Sequence, residues 1–259
     1  MKKGISQEQL KLLACVTMLI DHVGYALVNP MYQQITAAGG NARLAYYCYL
    51  LLRCVGRLSF PIFAFLLVEG FNRTHNRKKY ALRLVIGALL AEIPFNLVVS
   101  GSPVWRYKQS IMITLLLGFL ALLAMERCKK LTWKPVALLP FAVLGKLLKV
   151  DYGWGGVVLI ALLELSRYAY NRKLVCFLGM VVLFHYIPST TLRFGNFSVP
   201  MQVLGALSML FIAAYDGRKV TNSKVVQWAF YLFYPVHLLI LYLIRLIPGM
   251  LQAGINMLS

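Results

Sequence analysis

Ionisable side chains inside long apolar segments are the first candidates for chemistry in this sequence. Asp21 and His22 interrupt one apolar stretch, and Arg53 and Arg57 lie four residues apart in the next. An imidazole can act as a general base or an acyl acceptor, and a nearby carboxylate can orient it and stabilise its charge. A buried, hydrogen-bonded helix-packing pair is the alternative. Because charged groups are costly to insert into a bilayer, the pattern favours a catalytic interpretation.

The two arginines share one helix face, where they repel each other unless anionic groups neutralise them. Asp21, Glu69 and Glu92 are available as partners, and so is an anionic group of a substrate. A structural ion-pair network and a substrate site both meet this need, and the sequence leaves both open.

Other polar residues of the apolar segments have two interpretations each. Glu92 and Asn96 share a helix face on either side of a proline, so they line a polar cavity or lock their helix to Arg57. Glu69 lies where its segment ends, and the favoured interpretation there is a salt bridge to Arg73 or Arg83.

A second histidine lies in a proline-containing stretch near the carboxyl end of the chain. His237 follows Pro235 by two residues. It either faces the same cavity as the first histidine or packs against a neighbouring helix.

No metal or nucleotide motif is present in the sequence. The five cysteines are scattered and include no CxxC pair, which argues against a zinc site and a disulfide framework. Walker, Rossmann and GxSxG motifs are absent, so ATP hydrolysis and hydride transfer have no support. We therefore expect chemistry without a metal ion.

Composition places these residues in a membrane protein. The chain is 60% hydrophobic and only 14% charged, with a mean hydropathy of +0.70, whereas soluble domains are about 45–50% apolar and about 25% charged. The formal net charge of +19 comes from basic residues gathered in short gaps between apolar runs. That arrangement is typical of cytoplasmic loops and excludes a basic face for nucleic acid.

The apolar runs predict an all-α, polytopic membrane helix bundle of about nine transmembrane spans, because a spanning helix needs about 20 apolar residues. The fifth and sixth runs are short and could instead form a re-entrant pair. The predicted spans are residues 9–28, 44–70, 80–99, 110–125, 135–149, 154–168, 174–187, 200–215 and 225–247.

The basic residues between the spans predict the orientation. Most Lys and Arg fall in alternate gaps on one side, and few fall on the other. The positive-inside rule then places the amino terminus in the cytoplasm. No segment is long enough to fold separately, so residues 1–259 are predicted to form one integral-membrane domain.

Three collinear motifs resemble the TraX family, which is named for the conjugation protein that acetylates the amino terminus of F-type pilin. The match is most specific over residues 9–100, and residues 234–237 are similar to the final helix of other multispan acyltransferases. The motifs are Ile20-Asp21-His22, residues 57–65 followed by Glu69-Gly70, and residues 91–96.

The resemblance implies a bacterial inner-membrane acyltransferase surrounded by lipid. It would take acetyl from cytoplasmic acetyl-CoA, its co-substrate, and pass it to an amine or hydroxyl on a protein amino terminus or an envelope glycan. The basic stretch 72–79 has two interpretations, of which the positive-inside bias is the favoured one and attraction of the nucleotide end of coenzyme A is the other. The catalytic candidates are His22, Asp21 and Arg57, and the substrate-binding candidates are Arg53, Glu69, Arg83, Glu92, Asn96 and His237.

Two other function classes fit parts of the pattern. A proton-coupled transporter would use Asp21, His22 and Glu92 as a relay, but no inverted repeat is evident and nine spans do not divide into equal halves. A scaffold that assembles surface appendages would need neither Asp21 nor His22.

Overall fold

The computed structural model describes residues 4–104, 107–194, 197–221 and 223–258, most of which are helical. A small antiparallel hairpin is the exception. The elements are α1 (Gln7–Val23), α2 (Asn29–Ala37), α3 (Arg43–Gly56), α4 (Ser59–Arg73), α5 (Arg77–Ser100), α6 (Ile111–Glu126), α7 (Lys134–Leu147), α8 (Gly153–Leu165), α9 (Arg172–Tyr186), β1 (Thr191–Phe194), β2 (Phe197–Pro200), α10 (Met209–Ala213) and α11 (Lys224–Leu258).

Four helical stretches of the described residues are long and apolar enough to cross a membrane: Gln7–Ala37, Arg43–Arg73, Arg77–Ser100 and Lys224–Ile247. Shorter apolar helices cover Ile111–Glu126, Gly153–Leu165 and Met201–Ala213. The prediction of an all-α protein with membrane-spanning helices is confirmed. The number of crossings and the side of the amino terminus stay predictions.

Several predicted spans differ locally from uninterrupted α-helices. The run 44–70 is divided between α3 and α4 at Arg57 and Leu58, whose backbone N–H groups bond to carbonyls three residues earlier. The run 200–215 begins as the 3₁₀ helix Met201–Ser208 and continues as the short α10. Hydropathy detects apolar length but not helix type, so it does not predict these changes.

The start of α1 is fixed by its sequence and by a distant loop. Ser6 and Gln9 form a capping box in which each side chain accepts a hydrogen bond from the other residue's backbone N–H. The preceding residue, Ile5, donates its N–H to Ala214 and accepts one from Asp216. These bonds hold the start of α1 against the segment that follows α10.

Directly after His22 the first helix widens into a π-helical turn, Gly24–Val28, in which Asn29 donates its N–H to the carbonyl of Gly24. Pro30 follows in the first turn of α2, and because proline has no N–H the regular helical ladder cannot continue through it. Such π-turns occur frequently at functional sites. This one ends the regular part of α1 beside the candidate histidine.

The interior is built from α1, α4, α5, α6, α8 and the first half of α11. Small residues bring α6 and α8 together, as is common between membrane helices. Gly118 faces Ile160 and Gly156 faces Thr114, so closely that a Cβ at either glycine would overlap its neighbour. This close packing holds α8 against α6, and α6 itself contributes Ile111, Met112 and Leu115 to the lining of the cavity that contains the candidate residues.

Candidate active site

A cavity of about 600 Å³ lies among α1, α3, α4, α5 and α11. One part of its lining, the basic end, contains Lys11, Arg73, Arg83 and Lys219. The other part, the histidine end, contains Asp21, His22, Arg53, Arg57, Lys108 and Asp151. Lys11 and His22 both lie on α1, eleven positions apart, which corresponds to about 16 Å along the helix axis. One continuous space therefore joins the two ends.

His22 forms its hydrogen bond with the second histidine. Its Nδ1 lies 2.7 Å from Nε2 of His237, and Nδ1 of His237 lies 2.6 Å from the backbone oxygen of Phe233. The two imidazole rings meet edge to edge, with centroids 5.0 Å apart and 27° between their planes, and the ring of Tyr234 meets His22 edge-on. His22 lines the cavity, whereas His237 is only 6% exposed and lies behind it.

Asp21 pairs with both arginines. One carboxylate oxygen accepts a hydrogen bond from Nη1 of Arg53, and the other accepts one from Nη2 of Arg57 at 2.5 Å. This single negative charge balances one of the two cations, so an ion pair within the protein accounts for part of the charge and leaves one cation for an anionic group of a substrate. The expected bond from Asp21 to His22 is not formed, because adjacent helical side chains point about 100° apart and the arginines occupy the carboxylate.

The approach of α3 to α1 depends on Gly56. Any Cβ at this position would overlap the carboxylate of Asp21. The absence of a side chain therefore lets Arg53 and Arg57, on either side of Gly56, reach one carboxylate from the neighbouring helix.

The two arginines differ in the N–H groups that remain available. Arg57 donates Nε to the carbonyl of Arg53 and Nη1 to Oε1 of Gln202, in addition to its bond with Asp21. Arg53 donates only to Asp21 among the described residues and lies over the ring of Tyr25. Arg53 therefore has more donors free to face a substrate, although the sequence placed Arg57 among the catalytic residues.

Loop residues complete the histidine end. Lys108, between α5 and α6, pairs with Asp151, between α7 and α8, at 3.0 Å. The Asp151 carboxylate holds the pKa of Lys108 above its ordinary value. Burial raises the pKa of Asp151, but Lys108 and the two guanidinium groups outweigh it and keep that pKa below its ordinary value. Both loop residues are therefore charged near neutral pH.

The charges of the histidine end sum to a positive value. Three cationic side chains and two carboxylates line this part of the cavity within the described portion of the chain. Such an excess stabilises negative charge that develops on a reacting oxygen. Sequence reasoning did not select Lys108, Asp151 or Gln202 for the site, and only the scarcity of acids in the chain pointed to Asp151.

Arg83 is a cation of the basic end that forms no ion pair among the described residues. It lies over the ring of Tyr80 at 5.4 Å, and its buried Nε has no hydrogen-bond partner in the same part of the chain. The expected salt bridge of Glu69 to Arg73 or Arg83 is confirmed with Arg73, at 2.9 Å. Glu69 also pairs with Arg172 at 3.9 Å.

Glu92 and Asn96 do not line this cavity. Glu92 accepts a hydrogen bond from the backbone N–H of Ser110, and Asn96 donates one to the carbonyl of Pro103. Both side chains hold the loop that joins α5 to α6. The alternative that Glu92 locks its helix to Arg57 is therefore wrong, because this carboxylate is directed to the loop instead.

Metal-ligating side chains do not gather at the cavity. Within the described ranges, no group of three His, Cys, Asp or Glu side chains could hold a metal ion.

Comparison with known proteins gives two matches. The family model described as TraX protein matches residues 6–245. A relative from Dichelobacter nodosus, named "Probable fimbrial assembly protein FimC, serogroup H1", is 31% identical over 251 residues, which cover 90% of this chain and 93% of the relative. No solved structure matches the chain.

Proposed function

Because the chain belongs to the TraX family, as its motifs indicated, we propose that it is an integral-membrane acetyltransferase. It takes acetyl from cytoplasmic acetyl-CoA and transfers it to an amine or hydroxyl of an acceptor at or across the membrane. The enzyme works in the bacterial inner membrane, with several helices crossing the bilayer.

The observation that carries this proposal is the single cavity that joins the basic end to His22. The two ends of acetyl-CoA match the two ends of this cavity. Its phosphates lie at one end of a long, neutral pantetheine arm, and its thioester lies at the other end. Basic side chains bind phosphate oxygens by charge-assisted hydrogen bonds. The cavity volume is also within the range of about 300–1,000 Å³ that is usual for small-molecule sites.

The predicted orientation supports the same assignment. The basic end is formed where α1 and α5 begin and α4 ends, next to the loop 74–76. The positive-inside rule places these segments in the cytoplasm, where acetyl-CoA is present. The histidine end then lies in the outer half of the membrane, where an acceptor from the other side can enter.

The reaction uses His22 as the base. Its Nε2 takes the proton from the acceptor's N–H or O–H while the acceptor's nitrogen or oxygen bonds to the thioester carbon. Arg53 donates N–H groups to the oxyanion that forms. The carbon–sulfur bond then breaks, and the thiolate leaves as coenzyme A after it takes the proton from His22.

A second route passes through the histidine itself. In it Nε2 of His22 attacks the thioester, coenzyme A leaves, and the acceptor then removes acetyl from the imidazole. Single-turnover experiments without acceptor separate the routes, because only this one gives acetyl-histidine together with one equivalent of free thiol.

The name of the relative suggests the class of acceptor. The Dichelobacter nodosus protein is named for fimbrial assembly, which favours the amino terminus of a surface-appendage subunit over an envelope glycan. An amino terminus bears a nucleophilic nitrogen once deprotonated, and cations at the histidine end disfavour its ammonium form.

The proposal is tested with purified protein in liposomes that contain labelled acetyl-CoA and receive an envelope extract as acceptor. We expect label in the extract and one thiol released per acetyl transferred. Label on protein supports an amino-terminal acceptor, and label on glycan supports a hydroxyl acceptor. Uptake driven by a pH gradient without consumption of acetyl-CoA would contradict the proposal and favour a transporter.

Arg83 provides a separate prediction for donor binding. The variant Arg83→Gln removes a cation from the basic end, and we expect KM for acetyl-CoA to rise about tenfold, because a hydrogen bond to a charged group contributes about 1.5–3 kcal/mol. KM for acetyl-pantetheine, which lacks the phosphates, should not change. Arg43→Gln, an exposed arginine outside the cavity, is the matched control. Equal effects on both donors would contradict a phosphate role.

A further inference from the structure

We propose that His237 is a positioning residue that keeps the proton of His22 on Nδ1 and so leaves Nε2 as the basic nitrogen that faces the cavity. The inference rests on the proposed function and adds to it the tautomer of the catalytic base.

The argument starts at the backbone oxygen of Phe233, which can only accept a hydrogen bond. The nitrogen 2.6 Å from it, Nδ1 of His237, must therefore carry a proton. A neutral imidazole has one N–H donor and one acceptor nitrogen. Nε2 of His237 is consequently the acceptor.

The second step transfers this assignment to His22. Because Nε2 of His237 accepts, Nδ1 of His22 at 2.7 Å must donate. His22 then has its lone pair on Nε2. The carbonyl oxygen of Phe233 thus determines, through the rings of His237 and His22, that Nε2 of His22 is the nitrogen able to take a proton from the substrate amine or hydroxyl.

Ring packing holds this chain of hydrogen bonds in place. The imidazole of His237 packs against the ring of Phe233, with centroids 4.8 Å apart and 24° between the planes, while its Nε2 edge meets His22. His237 is buried and does not line the cavity, so it can act on the reaction only through its neighbour. Of the two alternatives that the sequence left open for His237, the structure therefore shows packing against a neighbouring helix and not a position facing the cavity.

The hydrogen bond between His22 and His237 also stabilises His22 after it has taken a proton. When Nε2 of His22 takes a proton, the ring becomes an imidazolium and Nδ1–H still donates to His237, now as a stronger, charge-assisted bond. Asp21 cannot supply this acceptor, because Arg53 and Arg57 occupy its carboxylate. A neutral acceptor therefore performs the orienting role that a carboxylate performs in many other sites.

Two substitutions of His237 separate positioning from packing. Leucine removes the acceptor and keeps an apolar side chain, whereas the side-chain oxygen of glutamine can accept from Nδ1 of His22. We expect His237→Leu to lower kcat by about 10–100-fold, the usual cost of losing such a supporting partner, with KM for acetyl-CoA unchanged. His237→Gln should recover most of kcat. Unchanged kcat in His237→Leu, or no recovery with glutamine, would overturn the inference.

A measurement on the wild-type protein tests the tautomer without any transfer reaction. The chain has only four histidines, so ¹⁵N spectra of histidine-labelled protein can be assigned by single substitutions. We expect a protonated Nδ1 and an unprotonated Nε2 at His22. The opposite tautomer overturns the inference even in an active enzyme. The expected tautomer without acetyl transfer would instead refute the proposed function.

Discussion

Replacement of His22 by alanine is expected to lower kcat for acetyl transfer by about 10²–10⁴-fold, the range that a general base contributes. KM for acetyl-CoA should change little, because in the proposed enzyme the phosphates bind at the basic end, about 16 Å away along α1. The liposome assay with labelled acetyl-CoA measures both quantities. The imidazole lines the cavity and its Nε2 is free of the bond to His237, so this nitrogen is placed to take the proton, and the alanine variant lacks it.

The matched control is His185→Ala. His185 lies near the end of α9, is exposed, and does not line the cavity, so this variant should keep wild-type kcat. If His22→Ala also keeps wild-type kcat, His22 is not the base. If His22→Ala instead binds acetyl-CoA more weakly and also turns over more slowly, the main role of the imidazole is to hold the thioester in place and not to transfer a proton.

The second large effect concerns stability. Asp21→Asn removes the carboxylate that pairs with both Arg53 and Arg57, and the three side chains are between 11% and 19% exposed. Loss of one partner from a buried ion pair leaves uncompensated charge and costs about 3–5 kcal/mol. We expect a loss of about 3 kcal/mol in the free energy of unfolding, measured by denaturant titration in detergent micelles.

Two further variants show whether the charge cluster is the cause. Asp216→Asn breaks a more exposed pair with Arg218 and should cost no more than about 1 kcal/mol. The triple variant Asp21→Asn, Arg53→Gln, Arg57→Gln leaves no unpaired charge, so it should recover most of the lost stability. It should not recover transfer, because the donors to the oxyanion are gone. An Asp21→Asn protein as stable as the wild type would contradict the role of the cluster.

The sequence predicted which polar residues needed partners but not which partners they find. The cost of charge in a bilayer indicated that Arg53 and Arg57 require an anion, and three acids were candidates. The choice of Asp21 depends on the contact between α1 and α3 at Gly56, where the missing side chain makes room for the carboxylate. Such a contact is a property of packed helices and is not visible in the spacing of residues along one segment.

Pairing between distant segments was beyond sequence reasoning for the same cause. His22 and His237 are 215 positions apart, and no periodicity relates them. The shared face of Glu92 and Asn96 was predicted from their spacing, yet local geometry cannot indicate that this face holds the loop after α5. Apolar length correctly predicted membrane-type helices, whereas the 3₁₀ helix Met201–Ser208 requires knowledge of how that run packs.

Because Lys11 and His22 both belong to the uninterrupted helix α1, the separation between this lysine of the basic end and the proposed reacting nitrogen is set by helical rise. In the proposed enzyme, this stretch of α1 sets the length that the acetyl-CoA molecule must span. A thioester whose pantetheine arm is shortened or lengthened by a single methylene would present its carbonyl carbon out of register with the imidazole, even if its phosphates bind normally.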